Sequence, residues 1–267
     1  MIHKAKKSMG QNFLKSQEAL RKMCEVGSVG EEDIILEIGP GKGALTEKLL
    51  EKAKKVISIE KDRDLISILE EKFVEEIKNG KIEIKNGDCL DFDQITYFKN
   101  KKYKIIANIP YNITGAIFKK FLSSTLQPET MILLVQKEVA ERIVSRDGKE
   151  SILSLSVKAY GTPKYIMKVH KRFFTPSPKV DSAIIAITNI SKNNFQKNTE
   201  ENNFFDVVKT GFAHKRKVLR KNLEILQKTP NQIDEIFEKL KIDAKTRAEN
   251  VKIEKWLQIS QNLSTEI

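Results

Sequence analysis

Apolar and polar positions along the chain alternate between two rhythms. Short β-branched runs occur at "DIILEIG" (33–39), "KVISIEK" (55–61), "KIEIKNGD" (81–88), "YKIIANIP" (103–110) and "ETMILLVQK" (129–137). Between them, "GALTEKLLEKA", "DLISILEEKFVEEIKN" and "TGAIFKKFLSS" carry apolar residues at helical spacing. Strand–helix alternation of this kind predicts a doubly wound α/β fold with a mostly parallel sheet. Two more strand-like runs follow, "KYIMKVH" (164–170) and "SAIIAIT" (182–188). The segment between them is too short for a helical crossover, so these two are expected to be antiparallel neighbours.

After Ile190 the pattern changes. "SKNNFQKNTEENN" is polar, asparagine-rich and aperiodic, and reads as a linker or exposed loop. Three helical patterns follow, "FFDVVKTGFAHKRKVLRKNLEIL", "PNQIDEIFEKLKI" and "KIEKWLQISQNL". The expectation is a domain over residues 1–190 and a small all-helical domain over 191–267.

Composition narrows the function classes. The 267 residues carry a formal net charge of +12, which suggests a polyanionic partner, nucleic acid first. No apolar run approaches the ~20 residues of a membrane span. Cys24 and Cys89 are the only cysteines and the three histidines are scattered, so no metal site and no disulfide framework is expected. The reading is a reducing, cytoplasmic context.

The candidate chemistry gathers at strand ends. "EIGPGKGALTEKL" sets Gly39, Gly41 and Gly43 between the first strand and the first helix after it, where backbone can approach a ligand closely. The spacing is GxGxG, unlike the GxGxxG of dinucleotide binders, and Glu37 beside it would oppose a pyrophosphate. Glu60 ends the second strand roughly 20 residues later, where an acid accepts from ribose hydroxyls. Asp88 ends the third strand and is placed to accept from an adenine amino group. Three glycines and three acids at one sheet edge suggest an adenosine-containing ligand without a pyrophosphate.

"NIPY" ends the fourth strand at the same edge. An exocyclic amine on a base is a poor nucleophile because its lone pair is delocalised into the ring. Two acceptors, the Asn108 side-chain oxygen and the Pro110 carbonyl, would favour a pyramidal nitrogen, and Tyr111 would stack on a flipped base.

"QNFL", "EIGPGKGALT", "NIPYNIT", "VQKEVAERI", "FFTPSPKVDS" and "HKRKVLRKNL" together resemble the S-adenosylmethionine-dependent ribosomal RNA adenine N6,N6-dimethyltransferases of the small-subunit, kasugamycin-sensitivity type. The resemblance runs from about Lys6 to "RAENVKIEKWLQIS". It implies a Rossmann-like class I methyltransferase sheet of seven strands, the last pair antiparallel. It implies S-adenosylmethionine as cofactor, with Asn12 and Leu14 at its methionine end. Gly39 and Gly41 would follow it, with Glu60 on the ribose, Asp88 on the adenine and Asn108 beside the methyl group. Asn108, Pro110 and Tyr111 become the target-amine motif, and Phe174 an aromatic that clamps the target base, with Phe173 one position away. The implied activity is dimethylation of two adjacent adenosines in the 3′-terminal hairpin of small-subunit rRNA, by a monomer acting on a pre-ribosomal particle. Erythromycin-resistance methylases of large-subunit rRNA share the glycine loop, the Asn-x-Pro-Tyr motif and "FxPxPKV". A methyltransferase for DNA adenine or protein glutamine, and a non-catalytic assembly or transcription factor on the same fold, are further alternatives.

Basic residues in the arm (Lys4, Lys6, Lys7) and in the helical domain (Lys215, Arg216, Lys217, Arg220, Lys221) are the expected RNA contacts. On one continuous helix, residues 216, 217, 220 and 221 would form a broad stripe on one side. Arg142, Arg146 and Lys149 are unranked additions.

Overall fold

The protein is described from a computed structural model, covering residues 5–6, 9–226 and 229–264. Nine strands occur among these residues: β1 (Phe13–Leu14), β2 (Ile34–Ile38), β3 (Lys55–Glu60), β4 (Ile82–Asn86), β5 (Lys104–Asn108), β6 (Met131–Gln136), β7 (Thr162–Val169), β8 (Phe174–Thr175) and β9 (Ser182–Thr188). The helices are α1 (Gln17–Val26), α2 (Ala44–Leu50), α3 (Arg63–Lys72), α4 (Val74–Lys78), α5 (Gln94–Phe98), α6 (Thr114–Leu122), α7 (Lys137–Val144), α8 (Ile152–Lys158), α9 (Asn198–Gly211), α10 (Leu219–Leu223), α11 (Pro230–Lys239) and α12 (Ile253–Ser264).

Seven strands form one sheet in the order β4-β3-β2-β5-β6-β9-β7. The first five are parallel, and β9 runs antiparallel to both β6 and β7. All seven strands expected from the β-branched runs are present. The central ones are buried on both faces, as a sheet covered by helices requires. Parallel order brings the carboxyl ends of β2, β3, β4 and β5 to one edge, where open α/β sheets hold their ligands. A separate feature is the two-stranded antiparallel ribbon of β1 with β8, two residues in each strand, pairing Phe13 with Thr175 and Leu14 with Phe174. Such a short ribbon leaves no periodicity to read in sequence.

The chain divides into two compact units, and the division differs from a single boundary at Ile190. Residues 1–140 with 162–190 form one; residues 141–161 with 191–267 form the other. Segment 141–161 belongs to the second unit for physical reasons. The Tyr160 hydroxyl donates to buried Glu201, which also pairs with Lys192 at 2.8 Å. The Tyr160 ring packs among Phe195 and Phe205, and the Glu150 N–H donates to the Glu249 carbonyl at 2.7 Å. These partners lie far apart in sequence, so composition alone puts the boundary where polarity changes.

Two expectations for the second unit are corrected. The asparagine-rich stretch is not simply a linker: residues from Asn198 onward are already α9, and Phe195 is buried ahead of them. The basic run is not one helix. After Gly211 the chain turns, and only Leu219–Leu223 is helical again. A Cβ on Gly211 would come within 2.3 Å of the Trp256 ring. Buried Asn222 donates its side-chain N–H groups to the carbonyls of Gly211, at 2.6 Å, and His214, at 3.3 Å, which pins the turn.

Among the described residues no helix is long and apolar enough to cross a membrane.

Candidate active site

The site is built within the first unit, at the carboxyl edge of β2–β5. Gly39, Gly41 and Gly43 all have positive φ (66°, 59° and 76°), so the loop from β2 to α2 needs glycine at each position. Gly41 also admits Phe13: a Cβ there would stand 2.9 Å from that ring. The Gly41 N–H donates to Glu60 Oε2 at 3.1 Å, and the Asp62 N–H to Glu60 Oε1 at 2.9 Å. Glu60, at the tip of β3, is thus nearly buried and oriented by two backbone donors. Burial pushes its pKa up, while those two hydrogen bonds pull the other way.

Glu37 turns inward rather than into the loop. Its Oε2 accepts from Thr46 Oγ1 at 2.7 Å and Ser58 Oγ at 2.8 Å, and among the described residues its other oxygen has no hydrogen-bond partner. With 1% of its surface exposed, burial drives its pKa from 4.5 up to about 7. Between those values the folded chain holds a proton that the unfolded chain has released, so stability falls as pH rises through the window. Urea unfolding at pH 5 and pH 8 is expected to show about 3 kcal/mol more pH-dependent loss for the native chain than for Glu37→Gln. Equal losses in the two proteins would mean that Glu37 is not the titrating group.

Asp88 lies beyond β4, in the turn that opens "DCLDF". Lys61 Nζ reaches Asp88 Oδ2 at 2.8 Å, and the Leu90 N–H reaches Oδ1 at 2.9 Å. The Lys61 hydrogen bond holds its pKa below the usual carboxylate range, so at neutral pH it is an acceptor only.

Asn108 is the last residue of β5. Its Nδ2 donates to the Asn12 carbonyl at 3.2 Å, so its Oδ1 is presented as an acceptor. Pro110, at φ −60°, starts the short 3₁₀ turn Tyr111–Ile113; its carbonyl accepts from the Ile113 N–H at 3.3 Å and keeps a second lone pair. The half-buried Tyr111 is fixed by a 2.6 Å hydrogen bond between its hydroxyl and Ser182 Oγ. Ser182 is buried at the start of β9 and was not singled out in the sequence, since nothing local pairs it with a residue 71 positions away.

The arm residues reach the same place. Asn12 is bonded to Asn108, and Leu14 is buried through the β1–β8 ribbon, opposite Phe174. Phe174 is 3% exposed and sits in the core cluster with Leu14. Phe173 is half-buried, with the Arg172 guanidinium 5.0 Å from its ring centroid, and its carbonyl accepts from the Lys15 N–H. Alternation along the chain thus sends one phenylalanine inward and leaves the other nearer the rim.

The donor set fits an adenosine-bearing sulfonium ligand. Two carboxylates suit hydroxyl and amino donors, and the lysines at the glycine loop are engaged otherwise, Lys72 with the Lys42 carbonyl and Glu47, and Lys42 over the Phe13 ring. Among the described residues no cluster has the composition of a metal site.

Of the expected RNA contacts, Lys215, Arg216 and Lys217 are exposed on the turn before α10 and form no ion pair among the described residues. Arg220 is otherwise engaged: its guanidinium makes a two-pronged contact with Asp234, 2.7 Å at one prong, and bonds Glu224. Lys221 pairs with Glu224 at 3.1 Å. Lys4 and Lys7 lie outside the described residues, and Lys6 is bound to Asp62 and Asp64.

Comparisons over the whole chain show its family. The sequence profile described as ribosomal RNA adenine dimethylase matches residues 2–265. The chain is 40% identical to a ribosomal RNA small subunit methyltransferase A of Fusobacterium nucleatum, over 97% of each protein. It is 36% identical to a protein of the same name from Clostridium botulinum, over 96% of this chain and 93% of that one. Among solved structures it matches the 23S rRNA methyltransferase ErmE with a TM-score of 0.78 at 25% identity, over 95% of this chain and 100% of that one. A dimethyladenosine transferase from Plasmodium falciparum gives 0.77 at 27% identity, over 92% and 95%. A glycine loop, strand-end acids and an Asn-x-Pro-Tyr tip on one sheet edge, with relatives alike over nearly their full length, make this chain a member of the ribosomal RNA adenine dimethylase family.

Proposed function

We infer that the protein dimethylates N6 of two adjacent adenosines in the 3′-terminal hairpin of small-subunit rRNA, with S-adenosylmethionine as methyl donor. The observation that carries the reading is Asn108. Its amide N–H is tied to the Asn12 carbonyl, which leaves its oxygen to serve as an acceptor at the tip of β5, beside the glycine loop. The small subunit is favoured over the large one because the relatives named for small-subunit rRNA share 36–40% identity, against 25% for the 23S enzyme.

The cofactor, when bound, supplies a methyl group on a positively charged sulfur. Gly39 and Gly41 would line its path, Glu60 would accept from its ribose, Asp88 from its adenine amine, and Asn12 and Leu14 would close on its methionine end. The Asn108 oxygen and Pro110 carbonyl accept hydrogen bonds from the target N6 amine. That localises the nitrogen lone pair, so catalysis is by positioning and electrostatics, with no general base needed before attack. Tyr111, steadied by Ser182, supplies the stacking face for the flipped base, with Phe173 nearer the rim and Phe174 as apolar backing.

We take the substrate to be a pre-ribosomal particle in the cytoplasm and the working form to be a monomer. Lys215, Arg216 and Lys217 are assigned to phosphate contacts, whereas Arg220 is assigned to holding α10 against Asp234. Lys215→Ala with Arg216→Ala is therefore expected to weaken rRNA binding and flatten the log K against log salt slope by about 2. An unchanged slope in filter binding would remove the turn from the interface.

The test of function is transfer of labelled methyl groups to unmethylated small subunits and, separately, to large-subunit RNA, with the modified nucleotide mapped. Two neighbouring dimethyladenosines in the small-subunit 3′ hairpin are expected. A single one in large-subunit RNA would overturn the substrate assignment.

A further inference from the structure

Asp62 lies two residues beyond Glu60, and none of its surface is exposed. A carboxylate with no access to water requires partners. One is the Asp64 N–H, in the first turn of α3, which Asp62 caps. Two more are side chains from the N-terminal arm, 56 and 51 residues away: Lys6 Nζ on Oδ1 at 2.5 Å and Gln11 Nε2 on Oδ2 at 2.6 Å. Lys6 also pairs with Asp64 at 2.7 Å, and its backbone N–H donates to Gln11 Oε1 at 2.8 Å. Both ends of the Gln11 amide are thus used, one closing the arm on itself and one fastening it to α3.

Residues after Gln11 go directly to the groups assigned to the cofactor. Asn12 accepts from Asn108, and the Phe13 ring lies against Gly41. Meanwhile the Asp62 backbone N–H holds Glu60 Oε1 at 2.9 Å. One residue therefore secures the arm with its carboxylate and the ribose-directed acid with its amide.

We propose that Asp62, with Gln11 and Lys6, is a latch that keeps the N-terminal arm over the cofactor site. Asp62 is a positioning residue: it controls how readily the methyl donor enters and its spent form leaves. The proposal rests on the cofactor reading above. A ligand lying behind residues 12–14 departs when the bonds from Gln11 and Lys6 to Asp62 break, so the latch acts through the dissociation rate.

The experiment measures release of bound S-adenosylhomocysteine from the full chain by stopped flow, alongside steady-state kinetics and thermal unfolding. Gln11→Ala keeps the α3 cap intact and is expected to speed release about tenfold, raising KM for the donor far more than it lowers kcat. Asp62→Asn is expected to act in the same direction. Lys6→Ala should follow, and Lys6→Arg, which keeps the charge, should restore slow release. If the native chain binds no S-adenosylhomocysteine, the cofactor reading fails and the latch with it. If the native chain binds it and Gln11→Ala releases it at the native rate, the latch is wrong while the cofactor reading stands. A lowered unfolding temperature with an unchanged release rate would overturn the proposal by leaving these contacts a purely structural role.

Discussion

Replacing Asn108 by alanine is expected to reduce methyl transfer about 100- to 1000-fold, the usual loss when a preorganised hydrogen-bonding partner of the reacting centre is removed. Two contributions disappear together. The side-chain oxygen no longer accepts from the target amine, so the nitrogen stays planar and its lone pair stays delocalised. The amide N–H no longer reaches the Asn12 carbonyl, so the arm loses one of its anchors over the site. Asn108→Asp separates these effects, because it keeps an acceptor but removes the N–H donor. Single-turnover transfer with saturating donor and RNA measures the chemical step alone. A near-native rate for Asn108→Ala would show that the amine is held elsewhere, and the Pro110 carbonyl would become the leading acceptor.

The second large effect concerns the helical unit. Trp256→Ala is expected to cost about 3–5 kcal/mol, as large-to-small changes at buried aromatic positions do. The Trp256 side chain is fully buried, stacks on Phe212 at 5.6 Å between ring centroids and fills the space that the missing Gly211 side chain leaves. No rearrangement nearby restores that volume, because Gly211 has nothing to extend. Trp256→Phe is expected to cost much less, since among the described residues the indole N–H has no hydrogen-bond partner to lose. Urea unfolding followed by circular dichroism measures both. A loss below about 1 kcal/mol for the alanine variant would mean that the turn repacks around the hole.

Most of the sheet was legible because its strands are β-branched runs cut off by glycine, proline and asparagine, and those signals are local. Gly39, Glu60, Asp88 and Asn108 were legible for a related reason: a parallel sheet brings every strand's end to one edge, so position in the strand gives position in space. What escaped depends on distance in the chain. Asp62 reads as an ordinary helix cap two residues past Glu60, and nothing local says that Lys6 and Gln11 will bury it. Ser182 reads as the first residue of a strand, not as the partner of Tyr111. Segment 141–161 looks continuous with the sheet domain, because Tyr160 and Glu150 find their partners some forty and a hundred positions later. The basic run misled through its own regularity: its charges fall at helical spacing, but Gly211 and Asn222 impose a turn.

That turn has an evolutionary consequence. Lys215, Arg216 and Lys217 stand on a loop whose base is clamped by the buried Asn222 amide, with Gly211 and Trp256 beneath. The groups that shape the loop are inside the unit, and the groups it displays are outside. With the phosphate contacts proposed for these residues, substitutions at the displayed positions would retune which nucleic acid is gripped, and how tightly, without disturbing the packing below. On a continuous helix the same changes would also have altered the helix's own stability, so the broken geometry separates what must stay constant from what is free to diverge.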